Sequence, residues 1–150
     1  MWEMTTGKQV PCIPDEQPVK VAFSQDGEYI AVVSIGNTAS ICKWKESDSR
    51  TVMLTHGQNT VQIQDIAFSP LGDYVATASK DGSVKLWEFP SGNARRNLPH
   101  EGTVESIAFS PDGKLLTAGS LNGVILVWEV STGKLVKRLA YTTADCSANY

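Results

Sequence analysis

Four tryptophans, Trp2, Trp44, Trp87 and Trp128, are the only ones in the 150 residues, and they stand 42, 43 and 41 residues apart. The tripeptide Ala-Phe-Ser recurs on nearly the same beat, at Ala22–Ser24, Ala67–Ser69 and Ala108–Ser110. Four residues after each phenylalanine (Phe23, Phe68, Phe109) comes a glycine, Gly27, Gly72 or Gly113. Eleven residues after it comes a serine, Ser34, Ser79 or Ser120. A period of this length marks stacked like units, each too small to bury its own apolar surface.

Between these markers lie short segments rich in Val, Ile, Leu, Phe and Tyr, bounded by turn residues, which is the pattern of antiparallel strands. The last copy predicts strand a over Val104–Phe109, a turn at Ser110-Pro111-Asp112-Gly113 and strand b over Leu115–Ser120. A turn at Asn122-Gly123 then leads to strand c, Ile125–Val130, and strand d, Leu135–Ala140. Pro111 presets φ for a type I turn, and Gly113 is free to adopt the left-handed conformation at the start of strand b. Asn122-Gly123 and Asp81-Gly82 are two-residue signals for type I′ hairpins.

The stretch Ala67 to Glu88, with Ala-Phe-Ser-Pro followed by Ser-Lys-Asp-Gly-Ser-Val-Lys-Leu-Trp-Glu, resembles the WD40 repeat. The family's Trp-Asp pair stands here as Trp87-Glu88, Trp128-Glu129, Trp2-Glu3 and Trp44-Lys45. The resemblance implies an all-β fold, a WD40-type β-propeller with three complete four-stranded antiparallel blades plus partial blades at both ends. Residues 1–17 then end a preceding blade, 18–56, 57–99 and 100–141 are the three blades, and 142–150 begin another. It also implies a hydrogen-bonded set in each blade: a histidine before strand a, a hydroxyl on strand b, an aspartate in the b-to-c turn and the strand c tryptophan. The third repeat offers His100, Trp128 and Thr117 or Ser120, with Asn122 in the place of the aspartate. The second keeps Asp81 and Trp87, while His56 precedes Phe68 by twelve residues where His100 precedes Phe109 by nine, so its participation calls for a longer loop. The first repeat lacks both histidine and aspartate, and counting from Ser34 to Trp44 gives a b-to-c connection two residues longer than elsewhere.

Trp2 falls at the end of a strand c, and Tyr150 follows Phe109 by 41 residues, so both ends are expected to lie inside repeats. An arc of three blades exposes two sheet faces of roughly 500 Å² each, larger than monomers usually leave bare. Covering one is worth on the order of 12 kcal/mol. The arc is therefore expected to meet the remaining blades of its own propeller, from the same chain or another copy, and to self-associate in isolation.

Composition narrows function. Thirteen basic against sixteen acidic residues, net −3, provide no field for a polyanion, so nucleic acid is not expected as a partner. No apolar run is long enough to span a membrane, and no signal peptide opens the chain, so a cytoplasmic location is expected. Cys12, Cys42 and Cys146 contain no C-x-x-C pair and read as reduced thiols. Asp26, Asp73 and Asp112 read as turn formers rather than acids or ligands, and Ser69-Pro70 and Ser110-Pro111 as tight turns rather than phosphorylation sites. Arg95, Arg96, Lys134, Lys137 and Arg138 fall on the outermost strands, where charge guards an exposed edge. No nucleophile, phosphate-loop or zinc-protease motif occurs, so neither catalysis, a metal nor a cofactor is expected.

What remains is binding of other proteins or peptides, with the chain as a non-catalytic scaffold or module of a larger protein. Alternatives are a sensor propeller joined to an ATPase or protease domain, and a self-assembling ring. The resemblance places partner contacts on the d-to-a and b-to-c loops and the start of strand a, which here supply Lys20, Gln62, Gln64, Asp65, Lys80, Glu105 and Leu121. Trp44, Trp87, Trp128, His100, Asp81, Phe23, Phe68 and Phe109 are expected to be structural.

Overall fold

The computed structural model describes residues 17–35, 38–46, 52–57 and 62–140. Within them lie twelve strands and no helix. The first sheet holds β1 (Pro18–Phe23), β2 (Tyr29–Ser34), β3 (Thr38–Lys43) and β4 (Val52–Thr55). The second holds β5 (Ile63–Phe68), β6 (Tyr74–Ser79), β7 (Ser83–Glu88) and β8 (Ala94–Pro99). The third holds β9 (Val104–Phe109), β10 (Leu115–Ser120), β11 (Val124–Glu129) and β12 (Leu135–Ala140). Each sheet pairs its strands in chain order and antiparallel, as consecutive strands joined by tight turns do.

The middle sheet is buried on both faces because successive side chains point to opposite sides. Val75 and Trp87 pack with Ala31, Val33, Ile41 and Leu54 of the first sheet. Ala76, Ala78, Val84 and Leu86 pack with Leu116, Leu126 and Trp128 of the third. Leu54, Leu86 and Leu116 are fully buried, and each such side chain contributes about 1.5–3 kcal/mol. The first strands stand side by side, β1 against β5 and β5 against β9. Asp65 stitches them: its buried carboxylate accepts the Ile66 and Ile107 N–H groups, both at 3.0 Å, and meets Lys20 Nζ at 3.4 Å.

Two a-to-b turns are built alike: Ser110 Oγ donates to Asp112 at 2.6 Å and Ser24 Oγ to Asp26, each aspartate two residues on. In the second sheet Leu71 holds that place, and Ser69 Oγ donates to Asp73 at 2.6 Å, four residues on. Gly113 takes φ 70° in its turn, as expected. The b-to-c hairpins correct the expected type I′ geometry. No non-glycine residue among those described has positive φ, and only Gly82 (φ 79°) and Gly123 (φ 80°) do so at these turns. Each loop therefore has three residues, Lys80-Asp81-Gly82 or Leu121-Asn122-Gly123, with glycine alone in the left-handed position. Asp81 keeps ordinary φ because its carboxylate accepts the Ser83 N–H at 2.8 Å. Strand c of the last sheet runs over Val124–Glu129, one residue earlier than expected.

The first sheet departs from the expected alignment. Its b-to-c connection is no longer than the others, running from Ser34 to Thr38 as Ser79 runs to Ser83. Ile30 pairs with Cys42 where Val75 pairs with Trp87 and Leu116 with Trp128, so Cys42 occupies the tryptophan position. Trp44 lies just past β3, where its indole N–H donates to Gly27 O at 2.9 Å and its ring meets Phe23 edge-on at 6.2 Å. The reading of reduced thiols is corrected as well: Cys42, buried, is disulfide-bonded. Spacing along the chain does not reveal pairs that the fold brings together. The partial end blades, with Trp2 and Tyr150, Cys12 and Cys146, lie outside the described residues.

Candidate partner-binding site

The rim where the first strands begin is held up by polar chains beneath it, best developed in the second blade. His56 directly follows β4 as His100 directly follows β8, and the loops they open hold seven and four residues. Its Nε2 lies 2.6 Å from Thr77 Oγ1 and its Nδ1 3.1 Å from Ser83 Oγ. The Trp87 indole N–H donates to Thr77 Oγ1 at 2.8 Å, and the Ser83 hydroxyl donates to Asp81 at 2.6 Å.

These partners fix the proton order. Ser83 gives its proton to Asp81 and so accepts from His56 Nδ1–H, which leaves Nε2 to accept from Thr77. The donors run in one sense from Trp87 through Thr77, His56 and Ser83 to the Asp81 carboxylate. Burial pushes the imidazole down to about 4, against the pull of Asp81, so it stands neutral at physiological pH. Burial would raise the Asp81 carboxyl, yet hydrogen bonds from the Ser83 side chain and backbone and the nearby His56 hold it below the usual range.

The third blade does not close this chain. Register places Ala118 where the second blade has Thr77, so no hydroxyl stands between histidine and tryptophan. His100 keeps its edge-on contact with Trp128 at 5.9 Å, but its Nε2 lies 3.2 Å from Ala118 O instead. Thr117 donates to Leu126 O and Ser120 pairs with Asn122, so neither candidate hydroxyl reaches His100.

At the rim itself, a cavity of about 240 Å³ opens between the first strands, lined by Val19, Lys20, Ser34, Ile35, Gln62, Ile63, Gln64 and Glu105. Four of the seven residues expected to bind partners line it: Lys20, Gln62, Gln64 and Glu105. Lys80 stands beside it, its Nζ donating to Gln62 Oε1 at 2.6 Å. Asp65 lies buried beneath, tied to Lys20. Leu121 is not part of the cavity but stands 75% exposed on its own hairpin. The residues that sequence reasoning missed are Val19, Ser34, Ile35 and Ile63. Ile35, 54% exposed, holds the hairpin position of Lys80 and Leu121, a correspondence hidden by counting to Trp44.

Antiparallel four-stranded sheets stacked by their first strands, with a histidine-to-tryptophan polar chain, define a β-propeller blade array. The WD40 family profile, described as WD domain, G-beta repeat, matches residues 48–88 and 92–129, and the chain belongs to that family. It is similar to the target of rapamycin complex subunit wat1 of Schizosaccharomyces pombe, 29% identical over 60% of this chain and 28% of that protein. Protein HIR1 of Mycosarcoma maydis is 30% identical over 53% of this chain and 8% of its own length. SEC12-like protein 1 of Arabidopsis thaliana is 30% identical over 55% of this chain and 20% of its own. The chain thus spans well under a third of each of these relatives.

Proposed function

We propose that the chain is a non-catalytic scaffold that holds other proteins or peptides through the rim cavity between β1, β5 and β9. The observation that carries this reading is the convergence of Lys20, Gln62, Gln64 and Glu105 from three blades on one opening, with the apolar Ile35 at its edge. Anchors of this kind, apolar side chains beside a few aimed polar groups, are what recognition surfaces use. A relative named as a complex subunit supports the same reading. Among the described residues no cluster of His, Cys, Asp and Glu could hold a metal, and no helix is long and apolar enough to cross a membrane.

The stripe Val19, Val21 and Phe23 on one face of β1 is 51–61% exposed, and a neighbouring blade is the fitting cover for it. Charge reversal at Lys20 and Lys80 in the intact protein is expected to weaken capture of its main partners. If capture survives that double change while substitutions on the a-to-b turns of the opposite rim abolish it, the surface assignment is wrong.

A further inference from the structure

We propose that the rim cavity accepts one basic side chain of the partner, an arginine, whose guanidinium pairs with Glu105 while its stem lies on Ile35 and Ile63. This rests on the partner-binding reading above and adds the chemistry of what is held.

Charge bookkeeping selects the cation. Lys20 is already neutralised by Asp65 at 3.4 Å, and that carboxylate is fixed by two backbone N–H groups, so Lys20 is poorly placed to receive an incoming acid. The amide oxygen of Gln62 is occupied by Lys80. Glu105 has no ion pair or hydrogen bond to its carboxylate among the described residues, and Gln64 has none to its side chain. A net charge of −3 favours approach of a basic partner.

A second observation is independent of charge. Ser34 lines the cavity, and its buried Oγ has no partner. In the other blades the corresponding hydroxyl is engaged: Ser79 Oγ accepts the Asp81 N–H at 3.2 Å, and Ser120 Oγ pairs with Asn122. The sequence has Gly36 where the third blade has Asn122, so blade one lacks the side chain that engages Ser120 there. A volume of about 240 Å³ admits one long side chain rather than a whole small molecule. A planar guanidinium with five donors matches a carboxylate, an amide oxygen and a hydroxyl oxygen better than an ammonium does.

The test is an NMR titration of the isotope-labelled intact protein with acetyl-Gly-Arg-Gly-amide and its glutamine and glutamate counterparts. The arginine peptide is expected to shift the amide signals of Lys20, Ile35, Gln64 and Glu105, and the other two to leave them in place. Glu105→Gln, with its signal dispersion intact, should weaken arginine binding about tenfold, and Ser34→Ala should weaken it about threefold. Absence of those shifts, equal binding of the glutamate peptide, or unchanged affinity in Glu105→Gln overturns the proposal. If the arginine peptide fails while charge reversal at Lys20 and Lys80 still abolishes partner capture, this inference falls and the scaffold reading stands. If arginine binds while capture is unaffected, the surface assignment falls, and with it the claim that the arginine belongs to the partner.

Discussion

Replacing Thr77 by valine keeps the shape of the side chain and removes one hydroxyl, and the structure says what that hydroxyl does. It takes the Trp87 indole proton at 2.8 Å and faces His56 Nε2 at 2.6 Å, in a fully buried position. Valine leaves a donor and an acceptor without partners, and each orphaned buried group costs about 1–3 kcal/mol. A loss of roughly 2–4 kcal/mol is expected, a large part of the roughly 5–15 kcal/mol that holds a domain together. The corresponding fall in melting temperature is on the order of 10 °C. Urea unfolding followed by tryptophan fluorescence measures the loss. Thr117→Val, whose hydroxyl donates only to Leu126 O from a half-buried site, serves as the control and should cost about 1 kcal/mol or less. If Thr77→Val costs no more than Thr117→Val, the polar chain does not support the second blade.

His56 is held near 4 in the folded chain against 6.5 ordinarily. The unfolded chain therefore binds the extra proton first, and stability should fall by about 1.4 kcal/mol per pH unit as pH drops from 6.5 towards 4. A flat profile over that window in chemical denaturation contradicts a buried neutral imidazole. Asp65→Ala, which strips the Ile107 N–H of its acceptor and frees Lys20, should cost about 2–3 kcal/mol by the same unfolding assay, and a change under 0.5 kcal/mol refutes the inter-blade clasp. Ala118→Thr supplies the third blade with the missing hydroxyl and should stabilise by about 1 kcal/mol. A loss of that size shows instead that the site has no room for it.

What was legible in the sequence was whatever repeats rigidly. Phe23, Phe68 and Phe109 each end a first strand, and the serines eleven residues on each end a second, because the a-to-b turn has one workable length. The loops from strand d to strand a carry no such constraint. His56 therefore sits twelve residues before Phe68 and still reaches Thr77. The tryptophan beat misled at one place for the opposite reason. Trp44 keeps the period while lying outside the strand, and Cys42 holds the position its neighbours give to tryptophan. From that miscount followed the extra hairpin length that does not exist, and with it the omission of Ile35 from the rim.

The three hairpins at the rim show how one scaffold separates stability from recognition. They share a length and a serine at the end of strand b. In the second, the residue two past the serine is Asp81, and it terminates the buried chain from Trp87. In the third, Asn122 turns its amide to Glu101 O at 2.9 Å and ties the hairpin to the loop before β9. In the first, the Ser34 hydroxyl is buried and left unpaired beside a cavity. An orphaned polar group of this kind costs about 1–3 kcal/mol while nothing binds it. The same deficit becomes binding energy once a donor enters. On the proposed reading, the first blade leaves free a polar group that its neighbours spend on themselves, and this group is what it adds to the shared cavity.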